Sequence, residues 1–414
     1  MSVFLQISLG LLYLAALIFL FIRINRKNEK PVADYWIAAA FFIKALAACA
    51  YGYAYAHYLP NSDSWKLFDE SLKEYWYILH EPESFFILDI KLDQSADFFS
   101  GTSDATWNNT DDNLFIKLLG LLNILSGGNY YITAVLFSFF SFWGLYQIFA
   151  VAARNFPVHI SFVFFLLFFA PSNLFWNSGL HKDGLIVFFT GLAIWVTYKF
   201  IQHRKAWNIA ILVVSLFFLF LFRIVNAMLM IPAIMAWMLA CRRPARTGII
   251  YMSIYVISIA GFFLTAYFPD AYNLPLKLAE KQHDFSRIEA NSGLDLTPLE
   301  PDFTGYLKVV PEALNNVFLR PYISEITGPL QLLSFIETIL TLALFIMLLI
   351  RTRFKYLFSS PLLLFFLTLS LTHLLVIGLT ISFTGSIVRY KALYIILLLL
   401  PFIFSLKKEN KFKI

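Results

Sequence analysis

Charged residues and cysteines are both scarce in this chain, and each shortage excludes a class of protein. Charged residues make up 14% of the sequence and hydrophobic residues 59%, and the mean hydropathy is +0.70. Soluble globular domains carry about 25% charged residues, so the composition excludes that class. The two cysteines, Cys49 and Cys241, lie in or beside apolar runs and support neither a disulfide framework nor a zinc site.

Sequence signatures of nucleotide binding are missing as well. The chain contains neither a GxxxxGK phosphate loop nor a GxGxxG motif after a strand. The pI is about 9.0, but the Lys and Arg residues form short clusters between apolar runs and do not indicate nucleic acid as a partner.

The chain has instead a series of apolar runs, each long enough to cross about 30 Å of hydrocarbon. They predict an all-α polytopic membrane protein with about 11 transmembrane helices. The predicted spans are residues 2–22, 34–56, 129–153, 157–176, 184–201, 207–223, 224–240, 248–267, 330–350, 358–380 and 391–406. The first run has no basic region before it and no cleavage site after it, so we expect a retained helix rather than a signal peptide.

The distribution of Lys and Arg predicts the orientation. With the N-terminus outside, the inner loops and the C-terminal tail hold more than half of the 32 Lys and Arg residues, and every inner loop satisfies the positive-inside rule. The C-terminus is then cytoplasmic, and both long polar loops face the periplasm of a bacterium or the lumen of a eukaryote. We expect an integral protein of the bacterial inner membrane with its active site facing the periplasm.

The first long polar loop, residues 57–113, is the most acidic part of the chain, with twelve Asp or Glu residues against three lysines. The apolar stretch 114–126 that follows is predicted to be an interfacial helix, because counting it as a crossing would place basic clusters outside. Asp111 and Asp112 are expected to precede that helix, where acidic side chains favour its dipole. The second long outer loop covers residues 268–329.

Asp63 lies shortly after the predicted end of the second span and is the candidate catalytic base. A carboxylate at the membrane surface, shielded by Tyr58 and Trp65, could accept a proton from an attacking sugar hydroxyl. Alternatively, Asp63 caps a helix that begins at Ser64, and the two roles are compatible. Weaker acidic candidates are Asp69, Glu70, Asp111 and Asp112.

A dense group of polar residues occupies the predicted connection at 175–184, between two Phe-rich spans. These residues are Asn177, Ser178, His181, Lys182 and Asp183. Lys182 could hold a lipid phosphate, and Asp183 could orient Lys182 or a substrate hydroxyl. Asn177 and His181 are further substrate-binding candidates. The alternative is an ordinary turn in which Asp183 caps the following helix.

Three other basic residues at outer ends of spans are candidates for binding a lipid phosphate. Arg223 is surrounded by apolar sequence, where an ionisable residue indicates function, although it also marks a turn and could reach the surface by snorkelling. Arg389 and Lys391 oppose the positive-inside trend, which suggests a specific anion. Arginine offers the bidentate geometry that a phosphate requires.

Arg320 and Glu325 end the second outer loop and are candidates for binding other parts of a substrate; alternatively they pair with each other. Glu337, inside a predicted span, is expected to face the bundle interior and find a donor. The seven His residues have no metal-ligand spacing, so no metal site and no cofactor is predicted. The acids between 93 and 112 leave a divalent cation open, without EF-hand spacing.

From residue 33 to about 400, the order of these features resembles the C-type (GT-C) membrane glycosyltransferases. In that family an acidic residue of the first large outer loop serves as base, beside interfacial helices. Here NSDSW at 61–65 and LFIKLLGLLNIL at 114–125 occupy those places. The family also has a long outer loop after the seventh core helix, and residues 268–329 occupy its place if 34–56 is the first core helix.

The resemblance implies four segments. They are an extra N-terminal helix and inner loop (1–32), a GT-C-like core (33–267), an outer loop (268–329), and C-terminal helices with a basic tail (330–414). The stretches SGLHKDG, FLRPYISE and IVRYKALY also resemble segments of uncharacterised bacterial envelope proteins near this group and near O-antigen polymerases.

The resemblance further implies inverting transfer of a sugar from a polyprenyl-phosphate-linked donor to a glycan, lipid or protein acceptor. Asp63 would deprotonate the acceptor, while Lys182, Arg223 and Arg389 neutralise the leaving lipid phosphate. The expected partners are this donor, its acceptor and membrane lipids. The alternatives are an O-antigen-type polymerase, and a transporter or flippase, for which inverted repeats and ionisable residues near the midplane would be expected.

Overall fold

The computed structural model describes residues 3–25, 32–58, 63–86, 106–287, 292–326 and 328–406. Within these ranges the regular elements are all helices, and no named β-strand is formed. The described chain divides into two compact units, the first ending at Ile224. An all-α polytopic membrane protein is therefore confirmed as the class.

The first unit contains ten helices in the described ranges. They are α1 (Val3–Ile24), α2 (Asp34–His57), α3 (Asp63–His80), α4 (Pro82–Phe86), α5 (Thr106–Ser126), α6 (Tyr130–Asn155), α7 (Ile160–Phe169), α8 (Pro171–Trp176), α9 (Lys182–His203) and α10 (Ala206–Phe222).

The second unit contains eight further helices. They are α11 (Ile224–Arg242), α12 (Thr247–Leu264), α13 (Leu274–Ser286), α14 (Phe303–Phe318), α15 (Pro329–Arg351), α16 (Phe354–Ser359), α17 (Pro361–Thr380) and α18 (Thr384–Phe404). Helices α15 and α17 both begin with proline, which is tolerated there because the first N–H groups of a helix have no acceptor within the helix.

Nine of the helices so placed are long and apolar enough to cross a membrane; these are α1, α2, α6, α9, α11, α12, α15, α17 and α18. The remaining predicted spans correspond to shorter apolar helices. The span at 157–176 is divided into α7 and α8, because Pro171 disfavours helical backbone at the residue before it. Helix α10 has 17 residues, which corresponds to about 25 Å.

The centre of the first unit is a close contact between α6 and α9. A Cβ atom at Gly191 would overlap the carbonyl oxygen of Gly144, so the two backbones touch directly at this point. Small residues allow membrane helices to approach this closely, and the approach fixes the register of both helices. The second unit has a similar contact, in which Gly378 of α17 lies against the Ala313 carbonyl of α14.

Helices α3 and α5 pack against each other and against the start of α6. Buried side chains join the three helices: the Asn123 amide donates to Ser71 Oγ over 2.9 Å, and Thr133 Oγ1 donates to Asn123 Oδ1 over 2.8 Å. Lys117 of α5 is 2.9 Å from the Glu74 carboxylate of α3. These contacts hold α5 in a fixed position, although it is not among the helices apolar enough to cross a membrane.

The predicted start of the interfacial helix is wrong. Asp111 and Asp112 do not precede the helix predicted at 114–126; they lie inside α5, which begins at Thr106. The polar stretch is helical because its carboxylates are paired with a lysine of α9, a tertiary contact that outweighs local composition.

The second long loop is also more regular than predicted. Residues 268–329 contain α13 and α14, and α14 buries Tyr306, Val309, Ala313 and Val317, one face at helical spacing. That face packs on α17, so the segment is largely helical.

Candidate functional site

The polar segment between α8 and α9 folds into a buried connection. Asn177, Ser178 and His181 are all buried, and α9 begins at Lys182. The capping prediction for Asp183 is wrong. His181 precedes the helix and Asp183 lies in its first turn, where its side chain takes part in ion pairs.

Six charged or ionisable side chains meet around the start of α9, and the two from α5 were only weaker candidates in the sequence. This ionic cluster consists of Asp111, Asp112, His181, Lys182, Asp183 and Arg223. The Lys182 ammonium lies 2.6 Å from Asp111 Oδ2 and 2.8 Å from Asp112 Oδ1. Arg223 Nη2 lies 3.0 Å from Asp183 Oδ1. The cluster therefore joins α5, α9 and the end of α10, with three carboxylates against two permanent cations.

His181 completes the side of the cluster formed by Asp183. Its Nδ1 is 3.1 Å from Asp183 Oδ2 and 3.4 Å from the Asp183 main-chain nitrogen. One nitrogen cannot donate to the carboxylate and accept from the amide in the same tautomer. Only the main-chain N–H has hydrogen-bond geometry, so Nδ1 accepts from Asp183 and His181 caps the start of α9.

The packing of α9 against α10 determines the position of Arg223. The Phe189 and Phe218 rings stack with centroids 4.7 Å apart, and Phe222 adds a second stacked contact at 6.2 Å. These contacts align the end of α10 with the start of α9. Arg223 is the single non-helical residue between α10 and α11, and its side chain reaches Asp183.

Asp111 has an unusual electrostatic environment. Burial raises the pKa of its carboxyl to about 6, although the Lys182 ammonium opposes that shift. Its two oxygens are held by different donors, because Oδ1 accepts from the Asp112 main-chain N–H over 2.9 Å and Oδ2 accepts from Lys182. A carboxyl with a pKa near neutrality can exchange a proton with a bound hydroxyl.

The cluster is accessible on one side. The Asp112 side chain is 41% exposed, whereas that of Asp111 is 12% and that of Asp183 is 7% exposed. A ligand would therefore meet Asp112 first and reach Asp111 beside it.

Lys44 is a second buried cation, and sequence reasoning missed it. It lies near the middle of α2 and is 1% exposed. Its ammonium donates to the Asn177 carbonyl over 3.3 Å and to Ser178 Oγ over 3.1 Å. Lys44 thus holds the connection that leads into the ionic cluster. The signal in the sequence was a lysine alone within an apolar span, which is costly unless it has partners.

Asp63 is the first residue of α3, and its side chain is exposed. The helix expected from Ser64 is present and begins one residue earlier; the capping role of Asp63 stays a prediction. The neighbouring Ser64 hydroxyl is buried 2.7 Å from that of Tyr130, while the Trp65 indole donates to the Gly52 carbonyl over 3.0 Å. The role of Asp63 as catalytic base stays a prediction.

The other predicted site residues belong to the second unit. Arg320 pairs with Glu325, as the sequence alternative expected. The Lys391 ammonium is buried and donates to the carbonyls of Val317 and Arg320 over 2.8 and 2.9 Å, at the end of α14. Arg389 donates to the Tyr390 hydroxyl over 2.9 Å. The phosphate-binding roles of Lys391 and Arg389 stay predictions.

Among the residues whose placement is described, no group of three His, Cys, Asp or Glu side chains is arranged to hold a metal ion. Most of the acidic stretch that left a divalent cation open in the sequence, residues 93–105, lies outside the described ranges. Asp111 and Asp112, its last members, use their carboxylates to bind Lys182.

The fold and the cluster define an α-helical polytopic membrane protein with a compact ionic site on three helices. No family model, no curated protein and no solved structure matches the chain.

Proposed function

We propose that this protein is a membrane glycosyltransferase that takes a sugar from a polyprenyl-phosphate-linked donor, and that the ionic cluster is its site. The observation that carries the proposal is the pair Asp111–Asp112, which shares the ammonium of Lys182. Transfer from a lipid phosphate needs a base for the acceptor and a cation for the leaving group. Here the carboxylate that could act as base and the ammonium that could stabilise the leaving group are in direct contact.

In the proposed reaction Asp111 takes the proton of an acceptor hydroxyl. The acceptor oxygen forms a bond to the anomeric carbon as the bond from that carbon to the phosphate oxygen breaks, and the electron pair leaves on the polyprenyl phosphate. Lys182 would couple the two events. When Asp111 is protonated it no longer neutralises Lys182, whose charge becomes available as the leaving phosphate becomes more negative.

Arg223 would hold the donor phosphate at the edge of the cluster. Its side chain is 22% exposed, and guanidinium geometry suits phosphate oxygens. Asp183, oriented by His181, would keep Arg223 in place between turnovers. The acceptor is a glycan, lipid or protein on the outer face, the side that the positive-inside rule gives to the start of α9.

The test compares two bases in one assay. The purified protein is incubated with polyprenyl-phosphate sugars, and released lipid phosphate is measured. Asp111→Asn should lower the rate by about 10²–10⁴-fold, the usual contribution of a general base, while Asp63→Asn stays near wild type. The matched control is Asp302→Asn, an exposed helix cap of α14 in the second unit.

Two other outcomes would contradict this assignment of the base. Loss in Asp63→Asn with activity in Asp111→Asn would restore Asp63 and remove the ionic cluster from the chemistry. Full activity in both variants would end the carboxylate-base mechanism.

A transporter or flippase is the second candidate, and two observations favour it. Lys44 is buried within a spanning helix, and the apolar segment that forms α7 and α8 is interrupted at Pro171. Buried ionisable groups and broken helices are typical of transport pathways. Reconstituted vesicles decide between the candidates: movement of a lipid-linked sugar across the bilayer without release of lipid phosphate, abolished by Lys44→Met, would favour transport.

A further inference from the structure

A second group of charged side chains lies at the opposite end of α9 and has no role in the proposed reaction. The Arg154 guanidinium carbon, at the end of α6, is 4.7 Å from the ring centre of Trp195. The Lys199 ammonium is 4.9 Å from the same ring centre. Two cations therefore share one indole, an arrangement stabilised by the electron-rich ring face.

The close contact of Gly144 with Gly191 makes this convergence a fixed property of the first unit. Because the α6–α9 register is set there, the C-terminal turns that carry Arg154 and Lys199 must lie side by side. Beyond them α9 ends at His203 and is followed by Arg204 and Lys205, both exposed. Lys205 and Arg154 are both close enough to Lys199 to repel its charge.

An acid lies near this group without pairing with it: Asp34, at the start of α2, and Arg154 both act electrostatically on Tyr146. In the described part of the chain neither Arg154 nor Lys199 forms an ion pair with a carboxylate, and the hydrogen bond of Arg154 is to the Ala150 carbonyl of its own helix, over 3.3 Å. Like charges held together without an ion-paired acid raise the free energy of the cluster, and an anion bound between them lowers it.

The position of Arg154 and Lys199 along their helices indicates a lipid phosphate as the anion. Helices α6 and α9 are both apolar enough to cross a membrane, and the cations lie in their last turns. Lipid phosphates occupy that level of a bilayer. The second residue of the next helix, α10, is Trp207, which is 73% exposed, and Val213 and Phe217 further along it are exposed as well. An indole at the interface and apolar side chains below it suit a headgroup with its acyl chains.

We propose that Arg154, Trp195, Lys199 and Lys205 form a binding site for the phosphate headgroup of an anionic membrane lipid. Arg154 and Lys199 would hold the phosphodiester oxygens over the indole, and Lys205 would add a third positive charge at the rim. Snorkelling of independent cations at helix ends would not place two of them on one ring. This site is separate from the ionic cluster, and it stands whether or not the protein transfers sugars.

Lipid retention tests the site directly. The full-length protein is purified in a mild detergent, exchanged into mixed phosphatidylglycerol and phosphatidylcholine, and the bound lipid is counted by native mass spectrometry. Wild type should keep phosphatidylglycerol in preference. Arg154→Gln combined with Lys199→Gln should weaken that binding by about tenfold or more, from the loss of two surface cations. Trp195→Leu should weaken it less.

The matched control removes the same charge elsewhere. Arg242→Gln combined with Arg243→Gln takes two exposed cations from the end of α11 and should leave retention unchanged. Equal retention of both lipids by wild type would overturn the proposal. So would equal losses in the two double variants, or complete displacement of the lipid by inorganic phosphate alone, which would mean a site for the free ion.

Discussion

At the scale of single residues, burial separates the two candidate bases. Asp63 is exposed at the start of α3, whereas Asp111 is enclosed by α5 and α9 and shares Lys182 with Asp112. Burial brings the pKa of Asp111 to about 6, where loss and uptake of a proton are nearly balanced.

The rate of transfer should depend on pH through Asp111. A general base acts in its ionised form, so the rate should rise with pH below about 6 and level off above it. Rates with a saturating lipid-linked donor, measured across this range, check the inflection. An unchanged inflection in an Asp111→Asn variant with residual activity would assign it to another group.

The same shift predicts a stability trend of defined sign. A carboxyl whose folded pKa is raised binds its proton more tightly in the folded state, so its contribution is greatest below its ordinary pKa of 3.8. The free energy of unfolding should therefore fall as pH rises from about 4 to about 6 and then level off. Thermal midpoints of wild type and Asp111→Asn in detergent measure this. Equal slopes in both proteins would contradict the assignment.

Lys44 permits a separate residue-scale prediction. Lys44→Met removes the donor to the Asn177 carbonyl and Ser178 Oγ, and unpaired buried polar groups of this kind cost about 1–3 kcal/mol. We expect a lower thermal midpoint and slower transfer, because the connection before Lys182 loses its anchor. Ser178→Ala, which removes one of the two contacts, should give a smaller effect in both measurements. Full activity of Lys44→Met would make the anchor dispensable.

At the scale of helices, close backbone contact is the main determinant of position. The contact of Gly144 with Gly191 sets the register of α6 and α9, with consequences at both ends of α9. The N-terminal end presents Lys182 and Asp183 to the ionic cluster, and the C-terminal end presents Lys199 to Arg154 and Trp195.

Alanine at Gly191 should therefore be destabilising. Its Cβ would overlap the Gly144 carbonyl, and overpacking of this kind costs about 1–3 kcal/mol. The matched variant is Gly261→Ala in α12, where a Cβ meets nothing within 4 Å and the better helix former should be neutral or stabilising by up to about 1 kcal/mol. Thermal unfolding in detergent measures both. A tolerated Gly191→Ala would contradict direct backbone contact.

At the scale of the whole molecule, the short helices determine the topology. If α7–α8 and α10 both cross, the alternation of crossings along the chain predicts Lys205, Arg243 and Lys355 on one side of the membrane and Asp302 on the other. We expect single-cysteine variants at the first three positions to react with an impermeant thiol reagent from the cytoplasmic side, and Asp302→Cys from the outer side. Both native cysteines are replaced by serine first. If neither short segment crosses, Lys205→Cys will react from the outer side instead.

Sequence patterns predicted the helices well where one face or a whole segment is apolar. The runs that became α2, α6, α9, α15 and α17 were located within a few residues, because burial in lipid requires unbroken hydrophobic sequence. The break between α10 and α11 at Arg223 was also predicted, since a charge interrupts the apolar pattern there. Polar helices were predicted only in part: the start of α3 was found within one residue, whereas α14 was assigned to a loop.

The site was only partly predictable for a related reason. A charged residue within apolar sequence is visible in the chain, which identified Lys182, Asp183 and Arg223. Its partner is not visible, because Lys182 and Asp111 are separated by 71 positions and meet only through the packing of α5 near α9. The role of Lys44 was likewise not predictable, because its partners, the Asn177 carbonyl and the Ser178 hydroxyl, are brought to it only by the packing.

By itself the sequence determined the class of protein and the helices that can cross a membrane. It also identified the charged residues that need a partner because they lie in or beside apolar segments. These follow from the cost of placing polar groups in hydrocarbon, which acts on each segment separately. Only the tertiary structure decided which polar residues share a partner. Ion pairs such as Lys182 with Asp111, and the convergence of Arg154 and Lys199 on Trp195, depend on distances that packing sets. Electrostatic interaction depends on those distances and on local burial, not on order along the chain.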